Sequence, residues 1–112
     1  MNYQQALSLN DLINILKSQH KNIDFSIYGK GSPGAANLDS ICIIGEPSTI
    51  TEDDDEIYPE YITNLGLEFW YSDELLEDVV MTALNQKNNA SNEEIHSAIR
   101  HYSEHDDFLD LI

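Results

Sequence analysis

The sequence predicts one α+β domain: a small antiparallel sheet of three or more strands, with an N-terminal helix and two C-terminal helices packed mainly on one face. Three observations predict it. Apolar residues recur at helical spacing in three stretches, they alternate with period two or form short β-branched runs in three others, and 112 residues suffice for a single core. The order along the chain is helix, strand, strand, strand, helix, helix. With 41% hydrophobic and 9% aromatic residues the chain has the apolar mass to fold, unlike an acidic disordered tail.

Ser8 or Asn10 can cap the first helix, whose residues Leu9, Leu12, Ile13 and Leu16 make one apolar stripe ending near His20. Ile23, Phe25 and Ile27 then alternate with Asp24, Ser26 and Tyr28, the pattern of a half-buried strand. Residues 29–34 are loop chemistry, and residues 38–44 read as a second strand pairing with the first as a hairpin. Residues 46–64 hold two prolines and the run Glu52-Asp53-Asp54-Asp55-Glu56, too costly to desolvate, so this is a solvated surface loop whose far side Tyr58, Tyr61 and Ile62 anchor.

Residues 67–71 form the third strand, with Leu67 and Phe69 on one face and Trp70 on the other. A helix starts after Ser72, with the stripe Leu75, Leu76, Val79, Val80 and Leu84 and with Asp73, Glu74, Glu77 and Asp78 at its dipole-positive end. Ser91-Asn92-Glu93-Glu94 is a capping box that opens the last helix, where Ile95, Ala98, Ile99 and Tyr102 supply the stripe. The tail from Asp106 is apolar enough to dock back on the body.

The charge is one-sided. Residues 1–45 carry three acids and three bases, whereas residues 46–112 carry 18 acids against Lys87 and Arg100, which is the whole net charge of -16. Within one domain this is a neutral part joined to a strongly acidic part. Such a balance opposes binding to nucleic acid and to anionic membranes, and it favours a basic protein partner. The N-terminus lacks a signal-peptide pattern and no apolar run approaches the ~20 residues that span a bilayer, so the expected location is cytoplasmic.

Chemical motifs are weak throughout. Gly29-x-Gly31-x-x-Gly34 matches a dinucleotide-binding fingerprint, but only three residues separate it from the next strand, leaving no room for a phosphate-binding helix. The acidic run lacks the glycine and the twelfth-position glutamate of a calcium loop. His101 and His105 have the i, i+4 spacing of a two-histidine metal site without a visible third ligand, and histidines at a helix C-terminus are favoured by its dipole. The lone thiol, Cys42, sits in the apolar run Ile41-Cys42-Ile43-Ile44, where it reads as a buried inert residue. No catalytic constellation emerges, and neither a metal nor a cofactor is expected.

The C-terminal half carries a resemblance. Tyr58-Pro59-Glu60-Tyr61, Gly66-Leu67-Glu68-Phe69-Trp70-Tyr71-Ser72, Asn89-Ala90-Ser91 and Tyr102-Ser103-Glu104-His105-Asp106-Asp107-Phe108 resemble a family of small acidic bacterial domains, similar to immunity proteins of contact-dependent growth inhibition and polymorphic toxin systems. The resemblance implies a cytoplasmic, non-enzymatic antitoxin that binds the toxic domain of a delivered effector, commonly a nuclease acting on RNA, and covers its active site or substrate groove. An alternative in the same physical class is a nucleic-acid mimic that inhibits a DNA-binding or defence protein. A small metal-dependent enzyme built on His101 and His105 is the alternative from another class.

Partner contact is expected first at Asp53, Asp54, Asp55, Glu56, Tyr58, Glu60 and Tyr61, then at Glu104, Asp106 and Asp107, and third at Glu74, Glu77 and Asp78. Trp70 joins this set. Its strand face is one a small domain can leave partly open, where core packing and an interface compete for an aromatic.

Overall fold

The computed structural model of the chain describes residues 1–18, 23–47, 49–50, 52–53 and 56–111. Ala6–Ser8 (β1) runs directly into the helix Leu9–Lys17 (α1), because the Ser8 hydroxyl accepts from the Asp11 N–H at 3.1 Å and so caps the first turn. Two further N–H groups of that turn reach loop carbonyls, Leu9 to Ser40 and Asn10 to Leu38, both at 3.0 Å. Ser18 is the C-cap, and His20, where the sequence puts the helix end, lies outside the described residues.

Ser26–Gly29 (β2) and Ile41–Gly45 (β3) form the expected antiparallel pair, with Ile27 opposite Ile44 and Tyr28 opposite Ile43. Both strands are displaced toward the C-terminus from the ranges that hydrophobicity predicts. Residues 38–40 leave the expected strand because Asn37 folds them into a turn: its Oδ1 accepts from Asp39 N–H at 2.9 Å and its carbonyl from Ser40 N–H at 3.0 Å. Phe25 is fully buried, but its backbone N–H donates to the Asp73 carboxylate and its carbonyl accepts from Asp73 N–H instead of entering the ladder.

The segment expected as a plain solvated loop holds a two-stranded hairpin, Thr49–Ile50 (β4) with Glu56–Ile57 (β5), followed by a short helix, Glu60–Asn64 (α2). Among its described residues Glu52, Asp53 and Glu60 are exposed, and Ile62 alone of the five helical residues is buried. Glu68–Ser72 (β6) then pairs antiparallel with β2, and Asp73–Gln86 (α3) and Asn92–His105 (α4) follow. Ser72 and Ser91 cap these helices as predicted, the second through a complete capping box with Glu94.

The main sheet has the order β1-β3-β2-β6, every neighbour antiparallel. Its helix-covered face contributes Ile27, Cys42 and Ile44 to one core with Leu12, Ile13, Leu76, Val79, Val80, Ile95 and Ile99 from the three long helices. The tail docks as expected: Gln86 donates to the Leu109 carbonyl at 3.0 Å and accepts from Leu111 N–H at 2.8 Å, and Phe108 lies against Tyr102. Among the described residues no helix is long and apolar enough to cross a membrane.

Candidate functional site

The opposite face of the sheet is only partly covered. Tyr28 packs edge-on against Tyr58 at 5.9 Å and against Phe69 at 6.0 Å, and Tyr58 stacks on Phe69 at 6.4 Å. Tyr28 Oη donates to the Glu46 carbonyl at 2.8 Å, and Tyr61 Oη donates to the Glu46 carboxylate at 3.2 Å. Burial, then the neighbouring Glu46 carboxylate, pushes the Tyr61 hydroxyl up to about 12. These contacts bear out the anchoring role of Tyr58 and Tyr61, which strap α2 across the sheet.

At the other end of α2 the strap opens into a groove of about 620 Å³. β2 stops at Gly29, one residue past its pairing of Tyr28 with Ile43, while Ile41 on one side and Leu67 on the other continue beyond it. Gly29 and Gly31 floor the notch between them, and Ile43, Leu65 and Trp70 wall it. Ile41 and Leu65, which both line it, are 57% and 58% exposed.

For Trp70, where core packing and an interface compete in the sequence, the structure shows burial in the core. The register of β6 on β2 shifts between Ile27 and Tyr28, so that Tyr71 pairs with Ile27 and Phe69 with Tyr28, leaving Trp70 as the extra residue of a bulge. Phe69 faces the partly open side, as alternation predicts, but Trp70 and Tyr71 are both buried, at 5% and 3% exposed. The indole lies over Gly29, and its Nε1 donates to the Gly31 carbonyl at 3.0 Å. It lines one wall of the groove.

The expected contact acids do not form one patch. Asp53 is exposed in the turn between β4 and β5, while Asp54, Asp55 and the side chain of Glu56 lie outside the described residues. Glu60 opens α2, and Glu74, Glu77 and Asp78 occupy the first two turns of α3, whose start is bonded to Phe25 just before β2. Glu104, Asp106 and Asp107 stand at the C-terminal end of α4 instead, where Asp107 holds His101 and Glu104 Oε1 reaches to within 3.9 Å of the position a Cβ on Gly34, past the end of β2, would take. Glu68, which sequence reasoning did not single out, pairs with Gly29 at that same end.

His101 and His105 do meet, ring centroids 4.6 Å apart, but His101 Nε2 is held by Asp107 Oδ1 at 2.6 Å. Among the described residues no group of three or more His, Cys, Asp or Glu side chains could hold a metal ion. Cys42 is fully buried, and burial pushes its thiol up to about 12.

A second, polar pocket of about 320 Å³ lies between residues 37–39 and α4, lined by Glu93, His96 and Arg100. His96 is buried and its Nε2 has no hydrogen-bond partner among the described residues; burial, then the Arg100 charge, holds its pKa below the ordinary value.

Sequence reasoning missed Ile41, Leu65, Leu67 and Glu68 as surface features. One signal was present: if Cys42 and Ile44 point into the core, period two sends Ile41 and Ile43 to the other face. No curated protein and no solved structure matches the chain. The stretch that holds the groove, the strap and the docked tail is matched from residue 7 to residue 111 by the family model described as Domain of unknown function (DUF7716), and the chain belongs to that family.

Proposed function

We infer that the domain is a non-enzymatic immunity protein of a contact-dependent growth inhibition or related toxin system. It binds a basic toxin domain, a nuclease acting on RNA, in the cytoplasm and covers its active site or substrate groove. The observation that carries this reading is the charge: the net -16 lies entirely after residue 45, and Asp53, Glu60, Glu74, Asp78, Glu104, Asp106 and Asp107 all stand exposed on a folded body. A nuclease that grips a phosphate backbone presents a cationic groove, and carboxylates on a rigid scaffold can occupy it in place of nucleic acid. The same potential accelerates encounter, in a manner that salt suppresses.

The experiment is stopped-flow association with a catalytically inactive form of the toxin domain encoded by the adjacent upstream gene, at low and at physiological salt. Replacing Asp53→Lys, Glu60→Lys and Glu104→Lys together is expected to slow association roughly tenfold or more at low salt, with a smaller effect at high salt. An unchanged on-rate removes these acids from the mechanism, and a neighbour that neither binds nor carries a basic domain removes the immunity reading.

A further inference from the structure

The polar pocket between residues 37–39 and α4 holds charges of both signs that do not neutralise one another. Asp39 lines it from the loop, and Glu93, His96, Ser97 and Arg100 line it from the helix. Among the described residues none of Asp39, Glu93 and Arg100 forms an ion pair, although the chain has only five lysines and arginines for 21 acids. Geometry keeps the charges apart. Glu93 and Arg100 stand two turns from each other on α4, about 10 Å along its axis, and Asp39 is held in its turn by the bond from its N–H to Asn37 Oδ1. The helical wall of this cavity of about 320 Å³ thus carries a carboxylate at one end and a guanidinium at the other.

His96 supplies a second observation. It lies between those two charges, is 8% exposed, and its Nε2 has no hydrogen-bond partner among the described residues. A buried polar atom in that state calls for an explanation, and a group from outside the chain is one that the adjoining pocket can admit.

We propose that this pocket binds a free basic α-amino acid, of the lysine or arginine type, with its carboxylate on Arg100 and its two cationic groups toward Glu93 and Asp39. The charge count selects this class. One cation and two carboxylates line the pocket, so a ligand with one anionic and two cationic groups leaves none of them unmatched. A phosphate or a dicarboxylate meets Arg100 but is repelled by both acids, and a diamine leaves the guanidinium without the bidentate carboxylate partner that its fork fits. The Ser97 hydroxyl, on the same helical wall, is a further donor for the ligand's carboxylate. The size agrees, since the cavity lies at the small end of the range for ligand sites and suits a molecule of roughly ten non-hydrogen atoms. None of these residues belongs to the acids assigned to the toxin contact, so the inference stands apart from the immunity reading.

The test is titration of the isotope-labelled full chain with L-arginine and L-lysine and with their carboxylate-free analogues agmatine and cadaverine, followed by backbone amide NMR shifts. At least one of the two amino acids is expected to move the amides of residues 37–39 and 93–100 saturably, with a Kd of about 1 mM or tighter, and its analogue to bind at least about tenfold more weakly. Arg100→Gln is expected to bring the two affinities together, and Glu93→Gln, at an exposed position, to weaken amino acid and analogue alike.

Shifts that do not saturate by about 10 mM, or that spread over acids throughout the chain, would overturn the proposal, the latter showing only diffuse cation binding to an acidic protein. Equal affinities for the amino acid and its analogue in the native chain would overturn it too, with no variant needed. So would an Arg100→Gln chain that folds and keeps the native discrimination, or an unchanged affinity in Glu93→Gln.

Discussion

Gly29→Ala tests the geometry on which the groove depends. A Cβ at this position would fall well inside contact with three atoms of the Trp70 ring, Cη2 among them at 2.6 Å. Carbon atoms pack at about 3.5–4.0 Å, so the indole has to retreat by about 1 Å. The ring belongs to a bulge in an otherwise paired strand and is 5% exposed, which leaves it little room to rotate. Overpacking of this kind costs about 1–3 kcal/mol. Retreat also stretches the 3.0 Å bond from Trp70 Nε1 to the Gly31 carbonyl, and leaving a buried donor unpaired adds about 1–3 kcal/mol. The expected loss is therefore about 2–6 kcal/mol, a large part of the ~5–15 kcal/mol that holds a domain of this size. Urea unfolding followed by far-UV circular dichroism measures it, with Trp70→Ala and the double variant completing a cycle. The clash predicts that most of the cost of Gly29→Ala disappears once the indole is gone. A cost below about 0.5 kcal/mol, or the same cost with and without the indole, refutes the stacking of Trp70 on Gly29.

Two further outcomes follow from buried ionisable groups. Cys42, with its thiol pushed up to about 12 by burial, is expected to react with iodoacetamide at pH 8 only through opening of the fold; at a stability above about 4 kcal/mol the native rate should be at least ~1,000-fold below that in urea, and comparable rates would refute its burial. His96 is held below its ordinary pKa, so on acidification below about pH 6.5 the unfolded chain takes up a proton that the folded one refuses, and stability falls until the pH drops through the folded value. Relative to His96→Leu, the native protein should lose stability between pH 7 and 5.5 with a slope of at most about 1.4 kcal/mol per pH unit, read from paired urea melts, and parallel pH profiles would refute it.

The long helices were legible because each is specified twice, by an apolar stripe and by a serine cap: Ser8, Ser72 and Ser91 all accept the expected backbone bond. The elements that escaped carry no such redundancy. β1 is three residues long and exists through its pairing with β3, and α2 has one buried residue in five and a proline at its start with no side-chain cap. Neither length can display a period. The strand boundaries moved for a different reason: Asn37 and Asp73 compete for backbone groups that alternation assigns to the sheet, and a polar side chain that wins such a contest leaves hydrophobicity unchanged.

Trp70 shows how one extra residue defeats a correct rule. Alternation separates Phe69 from Trp70 properly, but the bulge then brings Tyr71 to the same side as Trp70, and the two aromatics share the helix-covered interior. The exposure of Glu52 and Asp53 was legible because desolvating the acidic run is prohibitive, yet the acids proposed for partner contact were legible only as a composition. Their placement depends on tertiary contacts, Phe25 with the start of α3 and Gly34 with Glu104 near the end of α4, a relation no local pattern encodes.

In the proposed complex the two kinds of surface on this domain would divide the work of binding, separating rate from residence. Exposed acids spread over both ends of the sheet can draw in a cationic partner from any approach, but pairs at the solvated rim contribute about 0–1 kcal/mol each and weaken with salt. Tight neutralisation needs slow dissociation, which comes from a desolvated apolar anchor. The groove lined by Ile41, Leu65 and Trp70 offers exposed aliphatic surface for such an anchor. Substitutions at Asp53, Glu60 or Glu74 should therefore change mainly how fast a partner arrives, and substitutions at Ile41 or Leu65 mainly how long it stays. If both sets move the same rate constant, the acids and the groove belong to one contact, and a partner must span the sheet along α2 to reach them.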